Sequence, residues 1–421
     1  MKDIKQKLAE RWSERSPVEV ANRFSGPLYG TAGDWDLPKD VTPKRDLLYL
    51  AVGIPDAETL PKKKLETASQ VVFSKPGDTA LRYGFGPGPL QIREWLAQHR
   101  SSMEGVPVAA DEFQMTNGSS GAIDLIVRSL INPGDVIIAE NPTYMGTLHN
   151  FRGVGAEVRF VNMDAEGIKV DELKELLVAL RGEGKNVKLL YTISTFQNPT
   201  GWTLSEQRRL EILELAHEHD LMILDDEAYR ELWFDDQAPP PSFATLADNW
   251  GVITTGTFSK TVATGIRVGW IHARPEMLAL FARMRFAMGQ NQVGLRAMSE
   301  FLSAGEYEPH MQFVRGFYQA KRDALHTALK PAVGQYMQWQ KPKGGFYFWA
   351  KLNPDIPLEP LWRTAVEEGI AVNPGTGFSD ASQKGPDCIR IAYAWTPQEH
   401  FIEAAKRLQT ACERVLRGDA A

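Results

Sequence analysis

Cysteine is nearly absent from this 421-residue chain, which has only Cys388 and Cys412. Two thiols are too few for a disulfide framework or a thiolate metal site, so the expectation is a reducing, cytoplasmic setting and no metal. Positive charge is not in excess either. A formal net charge of -6 and a pI near 5.9 leave no broad basic field, which argues against nucleic acid as a partner. Long hydrophobic runs are missing too. The opening MKDIKQKLAERWSERSP alternates charge with scattered apolar residues, which excludes a secretory signal or membrane span and suits an amphipathic surface helix. No repeat, low-complexity segment or G-x-x-x-x-G-K-[ST] loop occurs. The glycines of LRYGFGPGPL have no strand feeding them, lack G-x-G-x-x-G spacing and are broken by prolines, so a dinucleotide loop is rejected.

What is present is ordinary for a globular chain, with 43% apolar and 24% charged residues. Its length suffices for two lobes, because single cores stop growing at roughly 250 to 300 residues. The most informative stretch is TTGTFSKTVATGIRVGW, Thr254 to Trp270. The β-branched run Val252 to Thr255 predicts a buried strand that breaks at Gly256 into a hydroxyl-rich turn presenting Lys260. Thr257, Ser259 and Arg267 around that amine could hold an anionic phosphate while the lysine attacks a carbonyl, a combination that suits pyridoxal phosphate. Taken alone, the turn reads first as a surface turn with a solvated lysine, since lysine is mostly exposed.

The remaining segments repeat one plan. Leu47 to Val52 predicts a short strand ending at Gly53, which is a plain turn or, failing that, a place where a ligand approaches the backbone. LRYGFGPGPL is then a loop carrying Tyr83, followed by a helix with Ile92, Trp95 and Leu96 on one face. A strand at Phe113 to Thr116 runs into NGSSGAIDLIVRSLI, placing Gly118 to Gly121 where a helix begins. Such a start is either a phosphate site or a plain serine cap. Val136 to Ile138 predicts a strand leading to Tyr144, VKLLYTIS leads to FQNPTG, and LMILDDEAY starts from another strand. Alternation with helical stretches such as LSEQRRLEILELAHEHD implies a largely parallel, doubly wound α/β sheet whose polar loops share one edge. A long helical stretch after about Asn291, the strand-like GGFYFWAKL and CIRIAYAW, and a helix from Glu399 to about Leu416 predict a smaller α+β lobe.

Seven stretches in order carry a resemblance: GIPDAETLP, ENPTYMG, FQNPTG, DDEAYREL, TFSK with GIRVGW, KPKGGFYFW and IRIAYA. From about Leu47 onward the chain resembles a fold-type I pyridoxal-phosphate aminotransferase of class I/II. More narrowly, it is similar to the 2-aminoadipate and kynurenine aminotransferase II branch and to the aminotransferase-like half of MocR regulators. The resemblance implies an N-terminal arm with part of the small domain at 1–60, a large cofactor domain at 61–295 and a small domain at 296–421.

Residue by residue, it implies that Lys260 forms the aldimine with pyridoxal 5'-phosphate and moves the substrate proton. Asp226 would pair with the pyridine nitrogen; Tyr229, three residues later, sets that register over Asp225. Tyr144 would stack on the ring, and Asn198 and Tyr229 would bond its phenolic oxygen. Ser119, Ser120, Thr257, Ser259 and Arg267 would hold the phosphate, joined by Tyr83 from the other subunit of a homodimer. Arg390 would clamp the substrate carboxylate, with Asn198 and the Gly53 backbone beside it. Val52, Thr264 and the GPGP after Tyr83 depart from the family pattern, and the first and third bear on specificity.

The expected reaction moves an amino group from an aromatic, large aliphatic or 2-aminoadipate donor to a 2-oxo acid, with 2-oxoglutarate as acceptor. The expected pocket walls include Trp35, Leu37, Phe85, Phe286 and Met288. Two alternatives remain open: β-elimination or C-S lysis, and a non-catalytic effector-binding module. The second is disfavoured because only about fifty residues precede GIPD, too few for a DNA-binding domain and linker.

Overall fold

The computed structural model describes residues 37, 38, 40–77, 79–285, 289–379 and 385–420. The helix expected at the N-terminus, and Trp35, Phe286 and Met288, lie outside the described residues. The chain enters with the short strand β1 (Leu48–Tyr49), then helices α1 (Lys62–Ser74) and α2 (Leu90–Glu104). A strand–helix alternation follows: β2 (Phe113–Thr116), α3 (Gly118–Leu130), β3 (Val136–Asn141), α4 (Met145–Gly153), β4 (Glu157–Asp164) and β5 (Gly167–Ile168). It continues with α5 (Val170–Gly182), β6 (Val187–Thr192), α6 (Glu206–Glu218), β7 (Met222–Asp226), α7 (Phe243–Leu246), β8 (Val252–Thr257) and β9 (Gly269–His272).

These strands form one eight-stranded sheet in the order β2-β9-β8-β7-β6-β3-β4-β5. The central run β8-β7-β6-β3-β4 is parallel, while β9 and β5 run antiparallel to their neighbours. Side chains alternate across it. Ile137, Leu189 and Leu224 enter the core on one face, and Ile138, Leu190 and Ile223 enter a second core on the other. All six are fully buried, each contributing about 1.5 to 3 kcal/mol, which is why the strands read as continuous apolar runs.

Beyond the sheet come α8 (Pro275–Met284), α9 (Gln292–Ser303) and α10 (Tyr307–Val333). A four-stranded antiparallel sheet, β10-β11-β14-β13, uses β10 (Met337–Gln338), β11 (Tyr347–Leu352), β13 (Asn373–Pro374) and β14 (Cys388–Ala392). Helix α11 (Leu358–Glu367) leads into β12 (Ile370–Ala371), and α12 (Phe401–Arg417) closes the chain.

Three local expectations differ from the structure. The strand at Leu47 to Val52 shrinks to β1, whose parallel partner is β12. The long helical stretch divides into α9 and α10 at Gly305, which takes a positive φ of 72°. Strand β8 does not break at Gly256 but continues to Thr257. Gly256 pairs with Trp270 of β9, whose indole fills the space so closely that a Cβ would lie 2.2 Å from it.

Candidate active site

Four adjacent parallel strands, β3, β6, β7 and β8, end on one edge, and their following loops carry Tyr144, Asn198, Tyr229 and Lys260. The expected clustering at the carboxyl edge thus follows from parallel pairing. Asp226 is the last residue of β7 and faces its neighbours: Thr255 donates to Oδ1 at 3.1 Å and Tyr191 to Oδ2 at 3.2 Å. Burial raises its carboxyl to about 6, against the pull of those two donors and of Lys260.

Lys260 Nζ donates to the Gly53 carbonyl at 3.0 Å and lies 5.8 Å from the Tyr229 ring centroid. Burial lowers its pKa to about 8; Arg390 is the next cause and Arg267 a weaker one, while Asp226 opposes them. The Tyr229 hydroxyl is 2.9 Å from that of Tyr347, and burial holds its pKa well above the ordinary phenol value. Gly53 has no room for a side chain, since a Cβ would sit 1.8 Å from Tyr347 Oη.

Arg390, on β14, donates from Nη1 to Asn198 Oδ1 and from Nη2 to the Ala51 carbonyl and Asn373 Oδ1, each at 2.7 Å. Its guanidinium lies between two rings, 4.4 Å from the Tyr347 centroid and 4.5 Å from that of Phe378. Its Nε is buried with no acceptor among the described residues.

At the start of α3, Asn117 provides no side-chain cap; its Oδ1 instead accepts the Asn291 N–H at 2.9 Å. Gly118 has φ 76°, and a Cβ there would lie 2.7 Å from an Arg267 nitrogen. Ser119 and Ser120 occupy the first turn of the helix. Thr257 Oγ1 lies 2.9 Å from Ser259 Oγ and accepts the Ser259 N–H at 3.1 Å. Uncapped helix amides, hydroxyls and a guanidinium over a glycine fit a phosphate monoester, and buried Asp226 fits a cationic ring nitrogen. Tyr83 is 74% exposed, and shares an open cleft of about 1260 Å³ with Asn117, Arg267 and Asn291.

Four contributors were not singled out from sequence: Tyr191, Thr255, Tyr347 and Asn373. Thr255 pairs directly with Asp226 across β8 and β7, so strand register was the available signal for it. Glu140 was also missed. It accepts from Thr192 Oγ1, Ile193 N and Gln197 Nε2, tying the loop that carries Asn198 to the end of β3, and burial raises it to about 7.

This fold and this lysine-centred edge define a pyridoxal-phosphate enzyme of fold type I. The family model for aminotransferase class I and II matches residues 45–408, and the chain belongs to that family. It is 36% identical over 365 residues to aromatic-amino-acid aminotransferase 1 of Thermococcus litoralis, covering 86% of this chain and 87% of the relative. The structure of multiple substrate aminotransferase from Thermococcus profundus superposes with a TM-score of 0.85 at 30% identity, covering 98% and 99% of the two chains. That of LysN, the α-aminoadipate aminotransferase of Thermus thermophilus, complexed with N-(5'-phosphopyridoxyl)-L-leucine, gives 0.79 at 31% identity, covering 88% and 93%. The chain is therefore a pyridoxal-phosphate-dependent aminotransferase. No described helix is long and apolar enough to cross a membrane.

Proposed function

We propose that the protein is a cytoplasmic, homodimeric aminotransferase of broad range, taking aromatic or large aliphatic amino acids or 2-aminoadipate, with 2-oxoglutarate as acceptor. The observation that carries this reading is the enclosure of the Lys260 amine among Asp226, Tyr229 and Arg390, which brings a base and a carboxylate clamp to one point. When bound, the cofactor supplies an electron sink for negative charge at the substrate Cα. Asp226 would keep the ring nitrogen protonated. Tyr229 and Asn198 would hold the phenolic oxygen, and Tyr144 would pack on the ring. Ser119, Ser120, Thr257, Ser259 and Arg267 would hold the phosphate.

Arg390 orients the substrate carboxylate, and lysine would do this poorly because a planar fork matches two oxygens. The Lys260 amine, mostly neutral above about pH 8, would take the proton from the substrate Cα. Gly53 serves that carboxylate through its backbone, beside Arg390's partner Ala51. Tyr83, with exposed Leu81 and Phe85 on either side, would cross to the partner's phosphate site; an apolar patch of this kind suits a second copy of the chain. The chain would divide into an arm at 1–60, a large domain at 61–295 and a small domain at 296–421.

The activities for which the similar proteins are named, on aromatic amino acids, several substrates and α-aminoadipate, support a permissive side-chain pocket. A half-reaction screen tests the proposal. Single amino acids are added to the loaded enzyme, and conversion of its visible band to that of pyridoxamine phosphate is followed. Pyruvate and ammonia released without an acceptor would assign a lyase instead. A preference for one of leucine, phenylalanine, kynurenine, 2-aminoadipate, glutamate or alanine by about 10⁴-fold in kcat/KM would overturn the broad range.

A further inference from the structure

We propose that Tyr347 is a positioning residue that joins the carboxylate clamp to the cofactor-facing tyrosine through one side chain. Its ring supports the guanidinium of Arg390, and its hydroxyl holds the hydroxyl of Tyr229. The inference rests on the functional reading above, which gives Arg390 and Tyr229 their roles.

The geometry is specific. Tyr347 begins β11 and pairs with Ala392 of β14, two residues beyond Arg390, so the two side chains meet on the diagonal of an antiparallel pair. The Arg390 guanidinium carbon lies 4.4 Å from the ring centroid, within cation–π range. At the far end of that ring, the hydroxyl is 2.9 Å from Tyr229 Oη. The side chain is only 2% exposed. Phenylalanine would fill the same volume, so the hydroxyl is the atom that needs a reason. Gly53 shows how firmly it is placed, because the missing Cβ of that residue is the space which Tyr347 Oη occupies.

The direction of the hydrogen bond follows from counting protons. Tyr229 has one hydroxyl hydrogen. When Tyr229 donates it to the phenolic oxygen, its own oxygen must accept, and Tyr347 supplies the donor. A donor behind a donor polarises the outer O–H and strengthens it. The groups that face Tyr229 are Tyr347 from β11, Arg390 from β14, Tyr144 from the loop after β3 and the Lys260 amine. Among them, Tyr347 makes the hydroxyl-to-hydroxyl bond.

The test separates ring from hydroxyl in the cofactor-loaded enzyme. Tyr347→Phe keeps the ring and removes the hydroxyl. It should raise the pH midpoint of the visible band by a few tenths to about one unit, the size expected for one hydrogen bond. It should also leave the Kd of an unreactive carboxylate, 3-phenylpropionate, within about twofold. Tyr347→Leu removes both and should weaken that carboxylate by about three- to tenfold as well. A Tyr347→Phe midpoint matching the parent would overturn the proposal, as would equal loss of carboxylate binding in the two variants. If the parent shows no lysine-bound visible band at all, the functional reading fails first and this inference falls with it, an outcome distinct from an unmoved midpoint.

Discussion

Asp225 and Asp226 are consecutive on β7 and face opposite sides of the sheet. Asp226 meets Tyr191 and Thr255, whereas Asp225 accepts from Ser194 N at 3.3 Å and Ser194 Oγ at 3.0 Å, near Arg209. The two-residue period of a strand separates them, so one carboxylate faces the lysine edge and the other is committed to holding a loop.

Exchanging each for asparagine should therefore divide the effects. Asp226→Asn should lower kcat by about 100-fold or more, because a positioned charge partner of the ring is lost. Asp225→Asn should keep kcat within a few-fold and lower Tm instead. Steady-state kinetics beside thermal unfolding reads both, and equal losses in kcat would mean that the register is wrong.

Lys260 should react as an amine of depressed pKa. Below about pH 8 it is mostly protonated and unreactive; above that it is neutral, so attachment of pyridoxal phosphate should speed up between about pH 7 and 9 and then level off. A lysine of ordinary pKa would still be accelerating at pH 10. Lys260→Ala should abolish the visible band, and borohydride trapping with peptide mapping should find the label on Lys260.

Arg390→Lys should raise KM for the amino acid by about 10- to 100-fold, with a smaller change in kcat. Lysine keeps the charge but cannot reach Asn198, Asn373 and Ala51 at once while lying flat between Tyr347 and Phe378. A KM unchanged for several substrates would remove Arg390 from carboxylate binding.

Tyr83→Ala should weaken cofactor retention at the partner's site and leave monomer unfolding nearly unchanged, because Tyr83 is exposed within its own chain. Light scattering should show a dimer for the parent. Equilibrium dialysis of pyridoxal phosphate that finds equal affinity in parent and variant would place Tyr83 outside the phosphate site.

Residues on loops were legible in the sequence, whereas several inside strands were not; Asp226 and Arg390, which also lie on strands, came from the ordered motifs around them. Lys260, Asn198 and Tyr144 follow turn signals, and a polar group after an apolar strand stands out from its surroundings. Tyr191 and Thr255 lie within strands, where tyrosine and threonine read as ordinary β-formers. Only pairing register brings them to Asp226. Tyr347 was masked by its neighbours, because an aromatic run predicts a buried strand without revealing which hydroxyl meets a partner. Asn373 and the sequence-distant Arg390 meet by antiparallel pairing of β13 with β14, and local pattern says nothing of that. The strand end at Gly256 was misread for a related reason. The glycine there accommodates Trp270 from the neighbouring strand rather than turning the chain.

The segment from Tyr49 to Gly53 is hydrogen-bonded at its two ends to residues beside different sheets. Tyr49 and Leu50 carbonyls accept from Thr396 and Ala392, and Ala51 accepts from Arg390, all near the small antiparallel sheet. Gly53 reaches across to Lys260 beside the large sheet. Leu50 and Ala51 are thus tied to the strand that bears Arg390, so the carboxylate clamp and the backbone in front of the lysine form one hydrogen-bonded unit, and a displacement of β14 would be passed to Gly53.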